Sequence, residues 1–359
     1  MRIAINTGGG DAPGLNAVIR AVVLAAHQRG WQTYGIQRGY DGLLAFQGVV
    51  HLDPDDVRGI TSQGGTILGT TNRGNPFRSV VTAADGTRQE MDRSEELIAA
   101  FRASGFEALV AIGGDGSLQI AAGLAAKGLP VVCVPKTIDN DVAATEQTFG
   151  FDTAVNIATD AIDKLHSTAE SHQRVMVVEL MGRDTGWIAL HSGISGTADA
   201  ILIPEIPFEI DKVCDKIRER DANGKHFSIV VVAEGARPRD GDVSLLERRG
   251  AGTVDRLGGI GNKVAQLISE RVDKEVRSLV LGHLQRGGSP TTYDRLLGLR
   301  FGTAAVQAIA DCDYGTMVAL RGTGIIRVPL ADAVGRQRTI PLDSDIVTTA
   351  RALGICLGD

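Results

Sequence analysis

Along the chain, short runs of apolar, mostly β-branched residues alternate with stretches whose apolar positions recur at helical spacing. The runs are "RIAIN" from Arg2, "ALVAI" from Ala108, "PVVCV" from Pro130, "RVMVVEL" from Arg174, "AILI" from Ala200, "SIVVVA" from Ser228 and "RSLVLG" from Arg277. Each is apolar almost without interruption, as expected of strands covered on both faces in a parallel sheet. Helical patterns lie between them, over 15–29, 93–103, 153–168, 210–220 and 262–272. Strand–helix–strand alternation predicts βαβ units with right-handed crossovers, and hence an α/β chain of doubly wound, mainly parallel sheets.

Two such sheets fit the distribution of motifs better than one. Glycine-rich acidic loops cluster before residue 150, and basic motifs follow it. The expected division is 1–150 plus about 287–325 in one domain and 151–286 in the other, with 326–359, where the pattern is weak, assigned to neither. A chain of 359 residues, 43% hydrophobic and 22% charged, can bury cores for two domains. Its 45 glycines against 4% aromatics suit many tight loops between short elements. The net charge of -6 gives no electrostatic reason to expect nucleic acid or an anionic membrane, so an anionic substrate must be met by local basic groups. Cys133, Cys214, Cys312 and Cys356 have no metal-ligand spacing and are expected to be reduced, buried thiols. "MRIAINTGGG" carries no secretory apolar region, and no apolar run is long enough to span a bilayer, so a soluble cytoplasmic protein is expected.

The candidate chemistry sits where apolar runs end. "NTGGGDAPGLNAVIR" follows the first run and opens a helix, with Asp11 suited to the N-cap and Pro13 to the first turn. Glycines there let backbone N–H groups approach a phosphate at a helix terminus, although a tight turn without a ligand is the alternative. "GGDGS" places Asp115 at a strand end, where ligands bind in open α/β sheets and a carboxylate suits Mg²⁺; a structural Asp capping the next helix is the plainer reading. "PKTIDND" sets Asp139 and Asp141 on either side of Asn140. One could serve as general base and the other meet a metal or water, against the alternative of an Asx-rich turn. "MGRDTGW" and "LGHLQRGG" offer Arg183 and Arg286, whose forked donors suit phosphate oxygens, and His283, which is as often an ordinary polar residue.

Together these motifs resemble the 6-phosphofructokinase family. "GGDAPGLNAVIR", "GGDGS", "PKTIDNDV", "GFDTA", "SHQRVMVVELMGR", "PE", "AEG" and "LGHLQRGGSPTTYDR" occur in the family's order, from residue 3 to about 310. The resemblance implies magnesium-dependent phosphoryl transfer to the 1-hydroxyl of fructose 6-phosphate, in a cleft between two Rossmann-like domains. By matching motif, Asp139 looks like the base, and Asp115 and Asp141 look like the magnesium-site acids. Thr137, Arg183 and the backbone of Gly10 resemble the groups around the transferring phosphoryl. Met181, Gly182, Glu234, His283 and Arg286 match sugar-phosphate residues. Arg174 and Arg277 match arginines that reach in from a neighbouring subunit, which implies a homotetramer or at least a homodimer. Donor-side matches are Gly10, Tyr40, Arg73, Gly116, Ser117 and Lys136.

Two departures bear on function. Well-known bacterial ATP-dependent members have glycine where this chain has Lys136, and Leu24 and Pro54 fall where their effector site has arginines. Pyrophosphate-using members share a lysine before "TIDND" but typically carry aspartate in place of Gly116. The resemblance therefore points to ATP as donor, with a pyrophosphate-dependent enzyme as the alternative. The NAD and lipid kinases, which share GGDG, lack "LGHLQRGG" and "PKTIDND". A catalytically dead sugar-phosphate sensor would be expected to lose Asp139, which is present.

Overall fold

The computed structural model describes residues 1–44, 48–72, 74–82, 87–247 and 256–359. Its strands, in chain order, are β1 (Arg2–Thr7), β2 (Gln32–Ile36), β3 (Val49–Leu52), β4 (Ser79–Thr82), β5 (Arg88–Met91), β6 (Ala108–Gly113), β7 (Val131–Pro135), β8 (Val175–Leu180), β9 (Ala200–Leu202), β10 (Ser228–Ala233), β11 (Leu245–Glu247), β12 (Arg256–Leu257), β13 (Val276–Val280), β14 (Thr316–Arg321) and β15 (Gly324–Pro329). The chain divides into two compact units. One comprises Met1–Thr137, Asp141–Asp152 and Arg286–Gln337, the other Ile138–Asn140, Thr153–Gln285 and Arg338–Asp359.

The first unit is built on a seven-stranded sheet in the order β15-β14-β7-β6-β1-β2-β3. Its strands run parallel except for the antiparallel pairs β2–β3 and β14–β15. Alternate residues of β1 show why both faces must be covered. Ile3 and Ile5 join a core with Val18, Val22, Phe301 and Val306, from the helices Leu15–His27 and Thr292–Ala310. Ala4 faces the opposite core, with Leu97, Phe101, Leu118 and Leu124 from the helices Ser94–Ala103 and Asp115–Ala126. Strand order reverses between β1 and β6, so the loops after these two strands diverge to opposite faces and leave a crevice at their carboxyl ends.

The second unit holds a four-stranded, all-parallel sheet in the order β13-β8-β10-β9. Val230 and Val232 of β10 pack with Val213, Ile217 and Val264 of the helices Ile210–Ala222 and Ile260–Ser269. On the other face the helix Trp187–Ser195 lies so close that a Cβ on Gly193 would sit 2.6 Å from the Ile201 side chain.

Several expectations change. The first helix begins at Leu15 with Gly14 as its cap residue, at φ 106° and with no side-chain cap. Asp11 is therefore not the N-cap and Pro13 lies ahead of the first turn. A Cβ at position 14 would meet the Phe149 ring at 2.8 Å, so glycine both fits and turns the chain. The run from Arg277 is not covered on both faces: β13 is an edge strand with Leu279 and Val280 exposed. Cys133 and Cys214 are buried, but Cys312 is exposed and Cys356 half-buried; all four are free thiols. The segment 326–359 splits: part of β15 completes the first sheet, while Cys356 bridges to Ala200 beside β9 of the second. No helix among the described residues is long and apolar enough to cross a membrane.

Candidate active site

In the first unit three loops leave adjacent strand ends. After β1, Gly8 N–H donates to Ile112 O at 2.9 Å and Gly9 N–H to Thr71 O at 3.1 Å, holding the glycine turn against β6. Ser117, in the first turn of the helix that follows β6, sits so near that a Cβ on Gly8 would fall 2.7 Å from its Oγ. After β7, Lys136 N–H donates to Gly113 O at 2.8 Å, and its buried ammonium donates to Gly10 O. Arg286 completes the group: its Nη1 donates to Asp11 O at 3.2 Å and lies 3.2 Å from where a Gly10 Cβ would be. Gly10, Ser117, Lys136 and Arg286 are thus brought together, with two cationic heads beside a glycine turn that no side chain could occupy. Thr137, also buried, accepts at its carbonyl from Thr148 Oγ1 at 2.7 Å.

Asp115 opens the helix Asp115–Ala126. Its Oδ2 accepts from Gln119 Nε2 at 2.8 Å, whereas its Oδ1 is buried without a hydrogen-bond partner among the described residues. Burial first, and the charge of Asp141 second, push the Asp115 carboxyl above the usual carboxylate range. Asp141 is itself buried and accepts from Gln337 Nε2 at 3.4 Å. An orphaned carboxylate oxygen facing a like charge is a donor set that a divalent cation would relieve, and Mg²⁺ needs only one or two such carboxylates when phosphates supply the rest. Gly116 is open: no atom lies within 4 Å of the position its Cβ would take. Tyr40 stands apart from this group, buried in the core with Asn6 and Cys133 beside it, where burial pushes its phenol up. Arg73 lies outside the described residues.

In the second unit, Met181, Gly182 and Arg183 leave the end of β8, and Glu234 leaves the end of the adjoining β10. Arg183 is left-handed at φ 52°, and its N–H donates to Glu234 Oε1 at 3.0 Å. A Cβ at Gly235 would lie 2.0 Å from Arg183 O, so the turn demands glycine next to the glutamate. Asp139 is buried, with its carbonyl accepting from Thr185 Oγ1 at 3.2 Å. Burial raises Glu234 to about 7, and the negative charge of Asp139 adds to that shift against hydrogen bonds from the Arg183 and Gly182 backbone. Asp139, Gly182, Arg183 and Glu234 therefore form one set. Thr185 belongs to it although nothing in its sequence context singled it out beyond its place in "MGRDTGW".

Other expected residues lie elsewhere. Arg174 precedes β8, at the opposite end of the strand from Met181, and pairs with Glu275, as does Arg277 on β13. Neither is brought to the Asp139–Glu234 set of its own chain. His283 is exposed, on the short helix Gly282–Arg286.

These are the parts of a phosphoryl-transfer enzyme, with carboxylates and cationic heads converging on glycine turns at parallel strand ends. The sequence model of the Phosphofructokinase family matches residues 2–309, and the chain belongs to that family. It is 54% identical over its whole length to an ATP-dependent 6-phosphofructokinase from Chloroflexus aurantiacus, covering 98% of that protein. It is 51% identical, over 95% of its length and 96% of the relative's, to a pyrophosphate–fructose 6-phosphate 1-phosphotransferase from Amycolatopsis methanolica. Among solved structures, Pichia pastoris phosphofructokinase in the T-state superposes with a TM-score of 0.80 at 30% identity over 99% of the chain. The chain spans only 37% of the length of that larger protein.

The Glu234 environment makes a stability prediction. Folding raises this carboxyl from 4.5 to about 7, so between those values the native state holds the extra proton and stability is lost as pH rises. Glu234→Gln removes the titration. Its stability relative to wild type, followed through Tm, should rise between about pH 5 and about pH 8, reaching a gain on the order of 2–3 kcal/mol in unfolding free energy. A parallel pH dependence of Tm in the two proteins would contradict the assignment.

Proposed function

We propose that the chain is an ATP-dependent 6-phosphofructokinase, transferring the γ-phosphoryl group of ATP to the 1-hydroxyl of fructose 6-phosphate in cytoplasmic glycolysis. The products are fructose 1,6-bisphosphate and ADP. Asp139 takes the proton of the 1-hydroxyl as its oxygen bonds to the γ-phosphorus and the bond to the β-phosphate oxygen breaks. What supports this role is a buried carboxylate on a loop whose backbone Thr185 anchors, beside Glu234. Glu234, which titrates at about 7, can in its protonated form hydrogen-bond a sugar hydroxyl without doubling the negative charge beside Asp139.

On the donor side, the Gly10 turn, Thr137, Lys136 and Arg183 surround the transferring phosphoryl. Position and charge supply most of the catalysis there. Gly116 and Ser117 line the donor's path, with Arg73 as a further proposed donor contact; Tyr40, whose ring the core takes, is not among them. Asp115 and Asp141 would hold Mg²⁺, which when bound neutralises charge on the donor phosphates. Met181, Gly182, His283 and Arg286 complete the proposed sugar-phosphate contacts. Arg174 and Arg277 sit at the wrong end of their sheet to serve their own chain. They are proposed to enter the site of a neighbouring copy in a homotetramer, or at least a homodimer.

The observation that carries the choice of ATP is the open space at Gly116. An aspartate there would extend a like charge toward the nucleotide's α-phosphate. Lys136, the lysine that pyrophosphate-using members share, keeps pyrophosphate as the second reading, since a buried ammonium beside Gly10 can meet either donor's terminal phosphate. Gly116→Asp should raise the ATP KM well beyond tenfold, the scale of one buried like-charge contact; an unchanged KM would remove the steric and electrostatic basis of the assignment.

Asp139→Asn tests the base. Its kcat should drop by roughly 10²-fold or more while fructose 6-phosphate still binds, as measured by equilibrium titration. Near-normal turnover would exclude Asp139 from that role.

A further inference from the structure

Residues 337 and 338 follow β15, beyond the stretch 2–309 that matches the family, in a segment with no apolar period of its own. Yet both touch the "TIDND" loop. In the first unit, Gln337 forms an antiparallel bridge with Val142 and its side-chain amide donates to Asp141 Oδ2 at 3.4 Å. In the second, Arg338 Nη1 donates to the carbonyl of Asn140 at 3.2 Å. The guanidinium lies over the Trp187 ring, 4.1 Å from its centroid, and Trp187 Nε1–H returns a bond to Arg338 O at 3.0 Å. Ile340 N–H then donates to Glu205 Oε1 at 3.1 Å, the carboxylate that also accepts from Gly186 N–H. The arginine is thus fixed at its backbone, its ring face and its donor tip.

What it holds is a strained turn. Asn140 is left-handed at φ 55°, a conformation that costs a non-glycine residue free energy unless the surroundings impose it. Its carbonyl is held by Arg338, and the preceding one, of Asp139, by Thr185 Oγ1 at 3.2 Å. Two consecutive peptide planes are therefore set by outside donors, and those planes determine where the Asp139 and Asp141 carboxylates project.

We propose that Arg338, with Gln337, is a positioning residue for phosphoryl transfer, bracing the Asp139–Asp141 loop from beyond the stretch that the family model matches. Neither touches substrate on this account; they act through Asp139 and Asp141. With Asp139 as the base, the reading on which this rests, a loosened turn lets that carboxylate drift from the hydroxyl it must deprotonate, which lowers turnover and leaves ground-state sugar binding largely intact.

The test compares Arg338→Met and Arg338→Lys with wild type by steady-state kinetics and by hydrogen–deuterium exchange of peptides covering 136–142. For Arg338→Met, kcat should fall about 10- to 100-fold with the fructose 6-phosphate KM within about twofold, the cost of misplacing a reacting group by about 1 Å. Amides of the loop should exchange faster while those of β8 keep their protection. Arg338→Lys retains one donor but neither the fork nor the flat ring contact, and should fall between the two. Wild-type kcat and exchange in Arg338→Met would overturn the proposal, as would a raised KM with unchanged kcat. If Arg338→Met does not fold, wild-type kcat and exchange in Arg338→Lys would overturn it instead. A wild-type protein inactive on fructose 6-phosphate would remove the role of Asp139, and the exchange data would still decide whether Arg338 holds the loop.

Discussion

Each unit sets a buried carboxylate beside a half-buried one near its strand ends, and the groups around each pair answer to that cost. Asp115 and Asp141 are one pair, Asp139 and Glu234 the other. A buried carboxylate raises its neighbour's proton affinity, and a pair can relieve the repulsion by taking up a cation or a proton. The first pair leaves Asp115 Oδ1 without a partner, the arrangement that suits a divalent ion. The second is relieved by protonation, since Glu234 titrates at about 7. Two pairs with different remedies separate the work of holding phosphates from that of moving a proton.

Parallel sheets explain why the groups gather at these points. Strand order reverses beside β1 in the first sheet, and the loops after β1, β6 and β7 carry Gly10, Asp115 and Lys136. In the second sheet adjoining β8 and β10 present Arg183 and Glu234 in the same way. "PKTIDND" contributes to both sets, because Lys136, Thr137 and Asp141 group with one unit and Asp139 and Asn140 with the other. One short loop thus carries the proposed base, a buried ammonium and the proposed metal-site acid Asp141.

Much of this was legible in the residues. The seven apolar runs are all strands: in six, burial leaves no polar alternation to confuse the reading, and β13 forms an edge strand although Leu279 and Val280 are exposed. β2 and β15 were missed, since "QTYGI" and "GIIRVP" are short or interrupted by polar residues; β14 was missed although "TMVALR" holds four consecutive buried apolar residues. Asp11 was a reasonable cap by residue type, but the contact between position 14 and Phe149 required glycine there, and the helix starts after it. The motif residues of the first unit lie together as their spacing implied, apart from Tyr40, whose ring the core takes. The Asp139–Glu234 pair had no local signal, because residues far apart in sequence meet only once β8 and β10 are paired. Arg338 had still less: its partners Asn140 and Trp187 are distant, and its own segment carries no pattern.

The chain is nearly as similar to a relative named for pyrophosphate as to those named for ATP, so overall identity does not select the donor. In the proposed function Gly116 carries the choice by the space it leaves, whereas the buried Lys136 ammonium is compatible with both donors. The most direct measurement is the initial rate of fructose 1,6-bisphosphate formation by the unmodified protein, with Mg²⁺ and either ATP or pyrophosphate as the sole donor. The account predicts a much larger kcat/KM with ATP; robust turnover with pyrophosphate and none with ATP would contradict it.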